Sequence, residues 1–423
     1  MENIQRLKLD KSIELYAEAK SLIPGGVLGI RRPYNFVEGE FPIFFDEGKG
    51  SHVFDVDGNE YIDYLCAYGP IIIGNREEEI DNEVIKQIQN KGFCFSLTQS
   101  FQNELAKKMN ELIPCAEMSL FVATGSDATS CAIRLARSYT GKTKVLRCGY
   151  HGWHDWCVEV KGGIPEKLYE DVQGFAYNDL TALETLLKAN GDNTAAVIIT
   201  PLGHPLANDI TEPKVGYLQG VKDLAARYDA VLIFDEIRTG FRVSMGGAQL
   251  YYGVTPDLAV FGKAMANGYP IGAVTGKADI MKEGEKNVFI SSTFFPNSLS
   301  YVAALKTIEI LERDNILGQI WEKGTWFISQ VNNLCLKYKV GAKISGIAPM
   351  MFITFHKDPD KIYKEKRTDF YTQLIRRKIF LQPFHHGYIC ARHSQDDLQN
   401  TIDAIEASLK YLVDKYGEIQ GGI

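Results

Sequence analysis

At 423 residues the chain is long enough for two or more domains and a sizeable core, and its 45% hydrophobic and 23% charged content is that of an ordinary globular protein. A net charge of −7 argues against nucleic acid or an anionic membrane as the main partner, and no run reaches the roughly 18 apolar residues of a membrane span. The opening Met1-Glu2-Asn3-Ile4-Gln5-Arg6 has no signal-peptide apolar stretch. The eight cysteines are scattered without a Cys-x-x-Cys pair, which points to reduced core thiols, a cytoplasmic location and no zinc site.

Residues 12–22 predict a short amphipathic helix, stopped by Pro24-Gly25-Gly26. Residues 51–64 read as strand, turn and strand around Asp57-Gly58; the likeness of Asp55-x-Asp57-Gly58-Asn59 to a calcium loop fails for want of the glutamate at the twelfth position, so a hairpin is expected. From about 119 strand-like runs recur at 119–123, 144–147, 195–199, 231–234, 258–261 and 273–275. Helix-like stretches such as 127–139, 180–189 and 216–228 lie between many of them. That alternation implies an α/β domain with a largely parallel sheet, whose ligands sit beyond the carboxyl ends of the strands. Beyond about 300 come helices at 299–313 and 319–338, strands at 343–346, 350–356 and 379–382, and a final helix at 394–415, which read as a smaller α+β domain. The expected division is an N-terminal segment, 1–65, packing with the small domain, a large domain, 66–298, and the small domain, 299–423.

Two strands of the large domain end in chemistry. The run 230–234 delivers Asp235, and the run 258–261 delivers Gly262-Lys263, 28 positions later. A lysine amine and a buried carboxylate on one rim are the pair that pyridoxal phosphate (PLP) requires: the amine condenses with the cofactor aldehyde, and the carboxylate keeps the pyridine nitrogen protonated. Taken singly, each residue reads more readily as a cap or a turn; the constellation carries the argument. Thr124-Gly125-Ser126 takes a strand into a helix, and glycine, hydroxyl and first-turn N–H groups suit a phosphate. Gly149-Tyr150-His151-Gly152-Trp153 follows another strand and offers an aromatic ring for a flat cofactor. His151 and His154 lack the spacing of a metal motif, as do His385, His386 and His393, so no metal is expected. The hydroxyl-rich loop 291–297 precedes a helix that it is placed to cap.

In this order, Thr-Gly-Ser, Tyr-His-Gly, Asp-Glu-x-x-Thr-Gly-Phe-Arg, Gly-Lys and Ser-Thr make the chain resemble the class III (subgroup II) aminotransferases of PLP fold type I, and glutamate-1-semialdehyde aminomutase-like members most of all. The resemblance extends from Ile23-Pro24-Gly25-Gly26-Val27 through Asp55–Tyr64 to Tyr252-Gly253-Val254-Thr255-Pro256-Asp257. It implies Lys263 as the PLP lysine and proton shuttle and Asp235 as the partner of the ring nitrogen. Ile237 and Tyr150 would cover the two ring faces, Gly125 and Ser126 would hold the phosphate, and His151 and Arg238 would complete the cofactor-binding set. Thr293 would reach the phosphate of a neighbouring subunit, making a homodimer with shared sites. Arg32 would bind a substrate carboxylate, with Arg392 as a second substrate cation.

Departures bear on substrate. Thr200-Pro201 stands where Glu-Pro is common, and the phosphate turn reads Ala-Thr-Gly-Ser-Asp in place of Asn-Ser-Gly-Thr-Glu. The segment between His154 and Asn178 is shorter than the gating loop of the aminomutases, and the aminomutase glutamate near the C-terminal Gly-aromatic step is replaced, with His385 or His386 nearby. A mutase must retain its intermediate and an aminotransferase must release it, so the expectation is an aminotransferase with an amino-acid donor. Arg31, Arg32, Arg238 and Arg392 point to a small anionic keto or aldehyde acceptor. A mutase or racemase on the same fold is the alternative reading, and a non-catalytic PLP-fold binding protein is the alternative of another class.

Overall fold

A computed structural model describes residues 4–204 and 208–418. The chain divides into two compact units, residues 4–77, 208–210 and 318–418 in one and residues 78–204 and 211–317 in the other. The sequence reading drew its boundaries at 65 and 298; the helix Ser298–Arg313 instead groups with the second unit, where it packs on helices Glu78–Lys91 and Phe101–Leu112 and on the short turn Lys263–Ala266.

The second unit is built on a seven-stranded sheet. Its strands lie in the order Met118–Val122, Gly272–Gly276, Leu258–Phe261, Val231–Asp235, Thr194–Ile199, Lys144–Cys148 and Val172–Gly174. Only Gly272–Gly276 runs against the rest, pairing antiparallel with both of its neighbours. The other pairings are parallel, so the ends of Val122, Phe261, Asp235, Ile199 and Cys148 share one rim. This is the mostly parallel α/β sheet that the alternation predicted. The two central strands Val231–Asp235 and Leu258–Phe261 are buried along their whole length, as strands covered on both faces must be.

Helix Gly125–Thr140 covers the sheet. Its start is set by a capping box: the Thr124 hydroxyl accepts the Asp127 N–H, while the Asp127 carboxylate accepts the Thr124 N–H. Its end is set by Gly141, whose φ of +68° is left-handed. The face between packs Ala128, Ala132, Leu135 and Ala136 against Val145, Ile198, Ile233 and Val260. Truncating one fully buried residue there, such as Ile233 to alanine, would cost about 2–5 kcal/mol.

The first unit holds two small sheets. One orders Phe45–Lys49, His52–Asp55, Glu60–Asp63 and Ile379–Phe380; the other orders Ala342–Ile347, Met350–Phe355 and Gly387–Tyr388. Helices Ile362–Arg376 and Gln395–Tyr416 pack on each other. The Asp57-Gly58 turn is the expected hairpin. Asp55 organises it by accepting the N–H groups of Asp57 at 3.0 Å and Asn59 at 2.8 Å and the Tyr61 hydroxyl at 2.6 Å. Asp57 is itself occupied, accepting the N–H groups of Lys11 and Ser12 at the start of helix Asp10–Leu22.

Beyond that hairpin the backbone is strained. Cys66, Ala67 and Tyr68 are consecutive non-glycine residues with φ of +47°, +54° and +70°. Each costs about 1–3 kcal/mol relative to relaxed backbone. Asp63 helps hold the bend, its Oδ1 accepting the N–H groups of Leu65 and Cys66 at 2.9 and 3.0 Å. Burial pushes the Asp63 carboxyl up to about 6, opposed by those same N–H groups.

Candidate active site

The adjacent strands Val231–Asp235 and Leu258–Phe261 put an acid and an amine on the shared rim. Asp235 lies opposite Val260, and the chain leaves Phe261 through Gly262 to Lys263. Lys263 has a φ of +47°, a left-handed conformation that lysine adopts only under constraint, and it opens a single turn of helix, Lys263–Ala266. The residue keeps some surface exposure, but its amine is desolvated. Burial drives the amine far below the ordinary lysine range. The Arg238 and Arg242 cations push it the same way, and the Asp235 carboxylate opposes them. The uncharged amine is the nucleophilic form, and this lowering favours it.

Asp235 is buried and held on both oxygens. Oδ2 accepts from His151 Nδ1 at 2.8 Å and Oδ1 accepts the Ile237 N–H at 3.2 Å. His151 is fully buried and lies parallel to Trp156, ring centroids 6.3 Å apart. Its Nε2 is buried with no hydrogen-bond partner among the described residues. His151, which the sequence reading put in the cofactor-binding set, is thus bonded to the Asp235 carboxylate.

The Gly149–Gly152 turn docks on the start of helix Gly125–Thr140. Thr129 donates to His151 O at 2.7 Å, and Trp153 N–H donates to Ser126 Oγ at 3.3 Å. Gly152, at φ +114°, allows this approach, since a Cβ there would stand 2.5 Å from Ser126 Oγ. The capping box serves the Asp127 amide, so it leaves the amides of Gly125 and Ser126 to the helix's outward end. Gly125 also seats Ile237, whose Cδ1 would lie 2.7 Å from a Cβ at that position. Tyr150 is 46% exposed, and its partial burial pushes the phenol pKa above the ordinary tyrosine value.

Two residues that the sequence passed over hold this rim together. Glu236 is fully buried and accepts the N–H groups of Ala248 at 2.8 Å and Gln249 at 2.9 Å, and the Thr239 hydroxyl as well. Burial raises its carboxyl, and those donors oppose the rise. His204 accepts from Arg238 Nη1 at 2.9 Å through Nδ1 and so fixes the buried arginine beside the lysine. The adjacent Asp-Glu pair was the available signal for Glu236; nothing in the sequence marked His204.

Contacts and charge thus link Lys263, Asp235, His151, Ile237, Gly125, Ser126 and Arg238 within the second unit. Thr293 belongs to the same unit and is exposed on its surface. Arg32 and Arg392 belong to the other unit. Arg32 Nε donates to Val27 O at 3.3 Å, and Arg392 grips Glu77 with Nε–Oε2 of 3.0 Å and Nη2–Oε1 of 2.6 Å.

These residues fit PLP: a desolvated amine, a buried carboxylate with its own histidine, two amides at a helix start, and a glycine-lined approach. When bound, PLP would supply an aldehyde for the amine and an electron sink for carbanion chemistry. Comparison with known proteins agrees. The family model for class-III aminotransferases matches residues 34–394. A 3-aminobutyryl-CoA aminotransferase of Cloacimonas acidaminovorans is 62% identical over 405 residues, 96% of this chain and 98% of that protein. A glutamate-1-semialdehyde 2,1-aminomutase of Methanosphaera stadtmanae is 35% identical, covering 96% of this chain and all of its own. The solved structure of the FumI protein of Sphingopyxis sp. MTA144, in its PLP internal aldimine form, superposes with a TM-score of 0.91 at 28% identity, over 97% of this chain and 98% of that one. With the rim and its lysine in place, the chain belongs to the class-III aminotransferases, the PLP-dependent transaminases of fold type I.

Proposed function

We propose that this aminotransferase takes its amino group from a β-amino acyl thioester of the 3-aminobutyryl-CoA kind and passes it to a small anionic keto or aldehyde acceptor. The observation that carries the donor is the 62% identity over nearly the whole chain to a protein bearing that activity in its name. The site residues take roles that follow from their placement. Lys263, in its uncharged form, removes the proton from the donor carbon that bears nitrogen and redelivers it. Asp235, oriented by His151 and the Ile237 amide, holds a proton on the ring nitrogen of the cofactor. Gly125 and Ser126 receive the phosphate, Ile237 and Tyr150 cover the ring, and Arg238 adds a cation at the rim. Thr293, exposed on this protomer, completes the site of a second copy in a homodimer. Arg32 and Arg392 are candidates for substrate anions.

Intermolecular transfer is favoured over mutase action. Residues 155–171 form turns and one short 3-10 helix, Glu166–Leu168, and are largely exposed. So short a segment gives no long lid with which to retain an aminated intermediate. The test is a pair of single half-reactions on the holoenzyme, followed by cofactor absorbance. 3-Aminobutyryl-CoA alone should convert the bound cofactor to its pyridoxamine form with one equivalent of 3-oxobutyryl thioester released, and a keto acid should then restore the starting spectrum. Rapid isomerisation of glutamate-1-semialdehyde, with no acceptor and no released intermediate, would overturn the reading in favour of a mutase.

A further inference from the structure

Arg238 is a buried cation held by a histidine. Its Nη1 meets His204 Nδ1 at 2.9 Å, and both residues are buried. A guanidinium has only donors, so Nδ1 accepts and carries no proton. The imidazole in this contact is neutral, and it fixes the guanidinium without cancelling its charge. Arg392 is treated differently, since the Glu77 carboxylate takes two of its donors and pairs with it.

The backbone that presents His204 is tied down on several sides. It leaves the strand Thr194–Ile199 through Thr200, whose N–H donates to Cys148 O at 3.1 Å. The Tyr177 hydroxyl donates to Pro201 O at 2.7 Å. Gly203 and Thr211 exchange both of their backbone hydrogen bonds, at 3.0 and 2.7 Å. The turn that presents Arg238 is tied down as well. Asp235 Oδ1 accepts the Ile237 N–H, and Ile237 Cγ2 stands 3.9 Å from where a Cβ would lie on Gly262, the residue before Lys263. The turn with the arginine therefore abuts the strand end with the lysine. All of these residues belong to the second unit.

Burial acts most strongly on the Lys263 amine and favours its uncharged form. Arg238 comes next and acts in the same sense, Asp235, itself bonded to His151, opposes, and Arg242 adds to the arginine effect. Arg238 also faces Tyr150, where it opposes the effect of burial on the phenol.

We propose that His204 is a positioning residue for transamination: it holds Arg238 through a neutral contact, so that the guanidinium keeps its charge on the rim and Lys263 offers the cofactor an uncharged amine. A carboxylate in place of the imidazole would hold the arginine equally well but would screen its charge from the lysine. The proposal rests on Lys263 as the residue that condenses with PLP.

The test reads the amine directly in the cofactor-free protein. Trace labelling with acetic anhydride over a pH series, with the Lys263 peptide followed by mass spectrometry, gives the pH at which the amine becomes reactive. Arg238→Gln should raise that midpoint by about one pH unit, the effect of removing one nearby like charge. His204→Asp should raise it in the same direction, because the new carboxylate pairs with Arg238. His204→Asn should stay near wild type, because its amide oxygen is a neutral acceptor in the place of Nδ1. A merely structural role for His204 would move the Asp and Asn variants alike. Equal midpoints for those two, or a wild-type midpoint in Arg238→Gln, overturn the proposal. If His204→Asp does not fold, His204→Leu, which has no acceptor, should move the midpoint toward that of Arg238→Gln, and a wild-type value there sinks it. Borohydride reduction of the holoenzyme with peptide mapping tests the underlying assignment separately. A label on another lysine removes Lys263 as the PLP residue, while the labelling midpoints still decide whether His204 and Arg238 govern this amine.

Discussion

Replacing Lys263 with methionine should make the cofactor-free enzyme more stable at neutral pH. The two side chains are similar in length, and the left-handed backbone at Lys263 is unchanged by the swap, so the comparison isolates the amine. In the unfolded chain that amine stays protonated up to about pH 10. In the folded chain burial first, then Arg238 and Arg242, hold it uncharged to far lower pH, with Asp235 only partly opposing. Between the two pKa values the unfolded state binds a proton that the folded state lacks, so stability rises with pH. The penalty is therefore complete at and below the folded pKa and disappears above the ordinary lysine range. A buried ion costs several kcal/mol after relaxation, and Asp235 returns some of that, leaving about 2–4 kcal/mol for the deletion to recover. At about 1 °C per kcal/mol for a chain of this length, the midpoint of thermal unfolding at pH 7 should rise by about 2–4 °C. Calorimetry of cofactor-free wild type and Lys263→Met at pH 7 and at pH 10.5 checks this. An equal or lower midpoint for the variant at pH 7, or a gain of the same size at both pH values, would refute the electrostatic account of the lysine.

Asp235→Asn keeps the shape but removes the charge, so the bound cofactor should be retained while exchange of the donor's proton with solvent slows by orders of magnitude; exchange at the wild-type rate, followed by NMR, would contradict the role given to Asp235. Mixing inactive Lys263→Ala protein with a variant crippled at Thr293 should restore part of the activity through hybrid dimers with one intact site, and no recovery after proven subunit exchange would count against a shared site. Gly152→Ala combines a φ of +114° with a Cβ 2.5 Å from Ser126 Oγ, so it should push the turn off the helix start and weaken cofactor retention on dialysis more than tenfold, whereas Gly162→Ala, in open space, should not.

Much of the rim was legible in the sequence because its signals are local. Apolar runs of strand length, each ended by a chemically distinctive residue, mark where a buried strand meets a rim, and so Asp235, Lys263 and the Thr124-Gly125-Ser126 turn could be read without a structure. Backbone hydrogen bonding and side-chain patterning act over a few residues, which is why the hairpin at Asp57-Gly58 and the capped helix beginning at Gly125 stand close to where they were expected. What only the tertiary structure decided depends on pairings between distant residues. The antiparallel insertion of Gly272–Gly276 between Met118–Val122 and Leu258–Phe261 leaves no local mark, because a strand's direction in a sheet is set by its connections. His151 became the partner of Asp235 across 84 positions, and Arg392 that of Glu77 across 315. Folding then turned identical residue types to different ends: of the four arginines singled out in the sequence, Arg392 was paired with a carboxylate, Arg238 was fixed by a histidine and Arg31 was left over a tyrosine face. An arginine's function is set by the acceptors within reach of its guanidinium, and those acceptors come from elements that only folding brings together.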